Sequence, residues 1–594
     1  MKKILSLLLI TSVLGYMACN EDDDPKKGDA PTVTLNPTSA QDIPGATVST
    51  TVTIDAPNGG ETLQFSGVSN ADVALSGEKE QDVDVDFVIP AGAVVGSTIT
   101  AVITVVDTEG LTSSPVEFTI TVGDPVETLE GSISADRTLE AGTQYLIVNQ
   151  VFVENGVTLT IPAGTVIKGD KASKGTLIVK PGGALVANGE ANNPVVFTSN
   201  QPVGARDRGD WGGIVMLGSA FVNQTSLPAI EGITPAVNYG NNTSPATNAT
   251  QNSGTLTYVR IEYAGIELTP NNETNTLTMG GIGNGTTIDY VQASFGGDDS
   301  FEWFGGTVNA KHLVSLSTWD DDFDTDFGYS GNVQFGLVVR NPFFADQSGS
   351  NAFESDNQGN GNVTFAGEAA RACEIETGAM TIAGCTRAVF SNITVLGPRE
   401  TSSRSISANY QNAMHIRRRS AISIFNSFFS GFRTGLRVDD AGTLAALNSA
   451  SGSKLANNVL SVPGTTLIAA SSTAADAAYI TGLSADATTI SNYWNTAGLG
   501  NTTFNNVTAV TALSDVGITT ANYWAGQSNT NYPANPNFAI VAGTAGANNL
   551  NDGEDFTDTR LSGGFFTTTT YRGAFGATDW TDGWANFQPQ TIEY

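Results

Sequence analysis

Past residue 125 the chain repeats itself at a spacing of roughly twenty residues. Thr158-Leu-Thr-Ile-Pro-Ala-Gly164, Thr176-Leu-Ile-Val-Lys-Pro-Gly-Gly183 and Pro194-Val-Val-Phe-Thr198 each set a short apolar run beside a turn-forming residue. Their apolar centres, with that of the next unit, are Leu159, Leu177, Val195 and Ile214, which stand 18, 18 and 19 residues apart. A unit this short cannot bury an apolar face alone, so neighbouring units must stack on it. Strand-and-turn units without helical periodicity stack as a parallel β-helix, each rung hydrogen-bonded to the next about 4.8 Å away. Further rungs follow at Tyr258-Val-Arg-Ile-Glu262, Ile288-Asp-Tyr-Val291, Lys311-His-Leu-Val314, Gln334-Phe-Gly-Leu-Val-Val339, Val389-Phe-Ser-Asn-Ile393 and Ala421-Ile-Ser-Ile-Phe-Asn426. Loops widen the spacing at 224–254 and 341–387. The predicted fold is therefore all-β, with a right-handed parallel β-helix over 125–440.

Composition agrees with strands rather than helices. Charged residues make up 14% of the chain, and 65 glycines and 22 prolines punctuate it. Long amphipathic helices need more Lys, Glu and Arg than that. Before the repeats, residues 31–124 carry alternating runs such as Val48-Ser-Thr-Thr-Val-Thr-Ile54, Asp82-Val-Asp-Val-Asp-Phe87, Thr98 to Val106 and Val116 to Val122. Period-two alternation broken by Pro, Gly and Asn predicts an immunoglobulin- or cadherin-like β-sandwich, read as a spacer. After about Asp440 the rhythm fades, and 441–594 is read as continuation of the solenoid plus a C-terminal cap. Single helical turns are expected at Ala474 to Ala478 and Thr520 to Ala525. The closing stretch is rich in aromatics, among them Phe565, Phe566, Tyr571, Phe575, Trp580, Trp584 and Phe587. It is expected to pack on the solenoid, whose exposed strand edges need cover.

The first residues read as an address. Lys2 and Lys3 precede an apolar run from Ile4 to Val13 that is too short to span a bilayer. Ala18-Cys19 resembles the lipobox of bacterial lipoproteins, although Tyr16 replaces the usual Leu. The resemblance implies a signal peptide over 1–18 and a lipid anchor on Cys19. Residues 19–30 then form an acidic tether opening Asn20-Glu21-Asp22-Asp23-Asp24, similar to the surface-export tag of Bacteroidota lipoproteins. The implied location is the cell outer membrane, lipid-anchored and surface-exposed. That leaves Cys373 and Cys385 as a pair outside the cytoplasm, read as a disulfide. With 27 basic against 59 acidic residues, the chain repels polyanions, so no nucleic-acid partner is expected.

Acid concentrates in three adjacent segments: Gly297 to Glu302, Asp320 to Asp326, and Glu354-Ser355-Asp356. Asp299 and Asp321 are 22 residues apart, about one rung, so these carboxylates are expected to stack. Two carboxylates about 4.8 Å apart repel by roughly 3.5 kcal/mol at an effective dielectric near 20. A cation, a basic neighbour or shared protons must relieve such a stack. Calcium suits an all-oxygen, irregular site, so Asp298, Asp299, Glu302, Asp320, Asp321, Asp322, Asp324 and Asp326 are candidate Ca2+ ligands. Asp320, Asp322, Asp324 and Asp326 alternate and would share one side of an extended segment. The run is not an EF-hand, which would need Gly where Phe327 stands and Glu where Val333 stands. A solvated acidic loop, or pairing with Arg260, Lys311 or Arg340, is the alternative.

Catalysis on the ridge would rest on Asp299, Asp321 and Lys311. Gly297-Asp298-Asp299 resembles one of two acidic motifs of a β-helix glycosidase family, but that family's Gly-His-Gly and Arg-x-Lys motifs are missing. Polysaccharide lyases on this scaffold use a Lys or Arg base beside calcium, for which Lys311 and Arg417-Arg418-Arg419 are the candidates. Three successive arginines on a strand cannot share a face, so the run is expected to scatter over acidic neighbours. His312 and His415 are read as structural.

A wider resemblance runs through Gly175-Thr-Leu-Ile-Val179, Gly209-Asp-Trp-Gly-Gly-Ile-Val215, Tyr258 to Gly265, Asp298 to His312, Asp320 to Gly328, Tyr571-Arg-Gly-Ala-Phe-Gly576 and Asp579-Trp580. These segments resemble a family of Bacteroidota-type cell-surface lipoproteins. The likeness covers roughly 125–594 and implies a β-helix at the cell surface, without assigning an activity. The expected role is binding of a glycan or a protein partner, with a polysaccharide lyase or glycosidase as the alternative.

Overall fold

Strong period-two alternation makes Thr47–Asp55 and Glu80–Val88 strands whose alternate residues face a core. The computed structural model describes residues 28–123, 126–269, 272–358, 372–376, 379–401, 403–461, 466–471, 487–504, 517–524, 532–540 and 550–594. The leader, Cys19 and the acidic run 20–24 lie outside the described residues, as does the helical turn expected at 474–478. The chain divides into two compact units between residues 125 and 126.

The first unit is a two-sheet sandwich. Thr32–Asn36, Thr47–Asp55 and Glu80–Val88 form one antiparallel sheet. The second sheet orders Ser39–Asp42, Val116–Val122, Thr98–Asp107, Gly60–Ser66 and Val73–Ala74, with its first pair parallel. Val52 and Phe87 from one sheet meet Leu63, Ile103 and Phe118 from the other in a single buried cluster. Phe87 and Phe118 stack across it at 5.2 Å.

The second unit is a parallel β-helix with three faces. One face pairs Thr158–Pro162, Ala184–Asn188 and then the leading halves of Gly254–Glu262, Thr287–Ser294, Asn309–Leu316, Asn332–Val339 and Val389–Leu396. The trailing halves of those long strands form a second face, which begins with the leading halves of Val126–Ile133 and Gln144–Val153 and runs through Val166–Gly169 and Val195–Ser199. The third face pairs Thr176–Val179, Ile214–Leu217, Leu277–Gly280, Phe301–Phe304, Phe323–Asp326, Phe353–Ser355, Asn412–Ile416 and Thr434–Asp439. The 18-residue recurrence is thus not the coil period. Leu159 pairs with Leu185 on the first face, whereas Leu177 and Ile214 pair on the third. All three faces bury their apolar centres inward, so successive strands look alike in sequence. Along the acidic stretch one coil is 22 residues, as in the pairing of Glu302 with Asp324.

A single residue in the left-handed region turns each long strand from the first face to the second. These corner residues are Tyr258, Tyr290, His312, Phe335, Asn392, Asn426 and Asn457, with φ between 49° and 64°. Asparagine tolerates this conformation, while a bulky residue there is strained by roughly 1–2 kcal/mol. The aromatic corners offset that cost by stacking: Tyr258 on Tyr290 at 4.4 Å, Tyr290 on His312 at 4.1 Å, and His312 on Phe335 at 5.0 Å.

The closing segment covers the solenoid along this column. Asp555 bonds Asn426, Thr569 and Gly573 bond Asn392, Thr567 bonds Gln334, and Asn586 bonds Gln292. At the far end Tyr594 donates to Glu262. Trp580 and Trp584 set their edges against Tyr290. Two short helices, Ala441–Asn448 and Ala487–Trp494, interrupt the later coils. Asp440 caps the first by accepting from the Thr443 N–H, a signal an eight-residue helix hides within an Ala-rich stretch. Thr520–Asn522 forms one 3-10 turn, inside the stretch where a turn was expected. Cys373 and Cys385 form a buried disulfide.

Candidate metal centre

The third face carries the acid because its strands alternate. In Phe301–Phe304 and Phe323–Asp326 the leading phenylalanine points inward, where Phe301 stacks on Phe323 at 5.8 Å and Phe323 lies tilted against Phe353 at 5.1 Å. The intervening residues therefore point outward, and parallel register puts Thr278, Glu302, Asp324, Glu354, His415 and Arg437 in one column. Acid gives way to base along it.

The turns entering these strands add a second row. The Asp321 N–H donates to Asp299 Oδ1 at 2.7 Å, and the Ser300 N–H donates to the Asp321 carbonyl at 2.9 Å. Two carboxylate triads result, Asp298–Asp299–Asp320 and Asp299–Glu302–Asp324, each with oxygens all within 4.8 Å of one another. Asp299 belongs to both. Asp320 and Asp324 each bury an Oδ1 that has no hydrogen-bond partner among the described residues. Burial first, and the neighbouring carboxylates second, push Asp298, Asp299, Glu302, Asp321 and Asp324 well above the carboxylate range. The same causes bring Asp320 to about 7 and Asp326 to about 8. As anions the triad carboxylates have no ion-pair partner among the described residues.

Three of the eight expected ligands stand apart. Asp322 is fully buried, accepts from the Ser315 hydroxyl and pairs with Arg340 at 3.2 Å. It does not share a side with Asp324 and Asp326, because the strand begins only at Phe323. Burial outweighs the Arg340 charge and brings Asp322 to about 6. Asp321 turns to the next coil, accepting from the Asn351 N–H at 2.5 Å. Asp326 accepts from the Phe327 N–H at 2.7 Å and joins neither triad. Asn275 was not anticipated: it donates to Glu302 and accepts from the Asp299 N–H at 3.3 Å. It lies in a loop with no acidic run to mark it.

The basic candidates are committed elsewhere. Lys311 stands on the first face, its amine 3.1 Å from Thr567 Oγ1 and 4.9 Å above the Phe565 ring. The structure therefore does not bring Lys311 together with Asp299 and Asp321. Arg417 pairs with Glu354 and, at 2.6 Å, with Asp356, which also takes Arg418 at 2.5 Å. The arginine run meets acidic neighbours as expected, but from a turn and not a strand: Arg418 and Arg419 stand at φ 50° and 65°, so Arg417 and Arg418 both reach Asp356. His312 is held in the corner stack and bonds Asp289 at 2.7 Å.

Beside the triads opens a cleft of about 290 Å³. Its lining comes from Ala229 to Glu231, Tyr239, Asn272 to Asn275, Asp298, Glu302, Phe304 and Phe327.

Three parallel faces with a carboxylate-lined outer column define a parallel β-helix protein. The sequence model of the pectate-lyase like beta helix domain family matches residues 131–512, and the chain belongs to that family. Comparisons with curated proteins and with solved structures gave no match.

Proposed function

We propose that the protein is a non-enzymatic binding lipoprotein of the bacterial outer surface, anchored through lipid on Cys19. In this reading residues 19–30 are a tether, 31–124 a spacer domain, and 125–594 a calcium-braced β-helix and its cap that binds a glycan or a protein partner. The leader and acidic tag support the anchor. No helix among the described residues is long and apolar enough to cross a membrane.

The observation that carries the calcium reading is the pair of triads sharing Asp299. Oxygens on opposite sides of a calcium ion, each about 2.4 Å away, stand about 4.8 Å apart. Carboxylates and no histidine or thiol make the set hard, which favours calcium over zinc. Such an ion would tie the coil of Asp298 to that of Asp320 and satisfy the bare Oδ1 atoms. Titration calorimetry of chelator-stripped protein tests this. The expected result is calcium uptake by the native chain and its loss in Asp324→Asn; no heat with the native chain overturns it.

Membership of a pectate-lyase like family favours a second reading, a polysaccharide lyase or glycosidase. Against it, the nearby arginines are paired with carboxylates and Lys311 stands on another face. Turnover of polygalacturonate that disappears in both Asp299→Asn and Asp321→Asn would establish catalysis and displace the binding reading.

A further inference from the structure

Tyr239 belongs to neither triad, yet it lines the cleft beside them. It is 1% exposed, and its hydroxyl is buried without a hydrogen-bond partner among the described residues. Burial raises the pKa of that hydroxyl, and the charges of Glu302 and Asp326 raise it further, so it stays a neutral donor and acceptor. A buried hydroxyl left unbonded is costly, and a ligand that bonds it removes the cost. Half-buried Phe304 and Phe327 lie 5.2 Å apart on the same wall. The carboxylates Asp298 and Glu302 and the exposed Glu231 and Glu273 line the same cleft, with neither lysine nor arginine among the lining residues.

We infer that this cleft binds one neutral sugar ring of a glycan. The inference rests on the binding reading above and names its ligand class. A pyranose offers hydroxyl donors all round its edge and an apolar C–H face. With calcium bound, Asp298 and Glu302 are ionised and only accept hydrogen bonds, so the carboxylates match those donors, and the phenyl rings match the C–H face. A uronate would add an anion to four carboxylates already present, even if one calcium ion is bound. The cleft volume sits at the lower end of small-molecule sites, which fits a single ring with the rest of the glycan outside.

The test uses the full native chain in calcium-containing buffer on an array of neutral, amino and uronic oligosaccharides. Retention on neutral glycans is expected. Retention only on amino or uronic glycans, or on none, overturns the inference. For a retained glycan, Tyr239→Phe should weaken binding about three- to tenfold, the worth of one hydrogen bond. Unchanged affinity in that variant places the glycan elsewhere and also overturns it. Tyr239→Phe leaves every triad carboxylate in place, so its calcium uptake should equal that of the native chain. Normal calcium uptake without glycan binding defeats this inference alone, whereas absent calcium uptake defeats the bracing reading.

Discussion

His415 sits in the outward column between Asp439 Oδ2 at 2.9 Å and Glu354 Oε2 at 3.5 Å. Burial opposes its imidazolium, but the hydrogen bond to Asp439 and the nearby Glu354 carboxylate outweigh that and raise its pKa. Burial likewise works against Glu354 and Asp439, and His415 together with Arg417 for the first and Arg437 for the second outweighs it, so both are lowered. The histidine contribution is therefore full below the unfolded value near 6.5 and is lost as pH rises through the raised folded value. The carboxylate contributions are present above their unfolded values near 4 and are lost as pH falls. The trio thus stabilises most between about pH 4.5 and 6.5. Scanning calorimetry should show the native β-helix losing stability as pH rises above about 6.5, and His415→Gln should lose less, the remainder coming from raised carboxyls such as Asp320 and Asp326. At pH 5.5 the variant should be less stable by about 3 kcal/mol, the low end for breaking a buried pair. Equal slopes in the two proteins would contradict the assignment. At this scale the sequence was legible where spacing alone decided: Asp298, Asp299 and Asp320 meet because one coil is 22 residues. It was not legible for Asp322, whose direction depends on the strand starting one residue later, nor for Asn275 and Tyr239, which distant loops deliver.

The corner column is the element that most shapes the solenoid. Sequence alternation predicted the strands on either side of it, yet nothing local marks Tyr290 or His312 as left-handed. That conformation is imposed by the stack above and below, a tertiary override of local preference. The same degeneracy explains the misread period, since three faces with similar inward patterns cannot be told apart along one chain. Asn426 belongs to the asparagine half of the column, at φ 51°, and exchanges two hydrogen bonds with Asp555, at 3.1 and 2.9 Å. Asn426→Ala should cost about 3 kcal/mol: about 1 for each lost bond and about 1 for placing alanine in the left-handed region. Asn426→Gly should cost less, because it removes the bonds without the strain. Thermal denaturation reads the difference, and limited proteolysis should release the closing segment faster in both variants. Equal stability of native and Ala proteins would show that the segment is not held through this corner.

Over the whole molecule, the net charge of −32 has a structural counterpart in a stack of buried carboxylates along one face. Arg417, Arg418 and His415 neutralise its later coils and Arg340 pairs with Asp322, while the five carboxylates of the two triads have no ion pair among the described residues. The central claim is that calcium supplies the missing charge and ties the coils of Asp298 and Asp320 together. Calcium at a hundred times its dissociation constant would stabilise the folded unit by about 2.7 kcal/mol. For a unit of this length that is a shift of about 3 °C. Differential scanning calorimetry with and without chelator is the most direct measurement. The account predicts that chelator lowers the β-helix transition by about 3 °C, that added calcium restores it, and that Asp324→Asn does not respond. The sandwich is a separate compact unit without these residues, so its transition should not move. Superimposable traces for the native protein with and without chelator would contradict the claim.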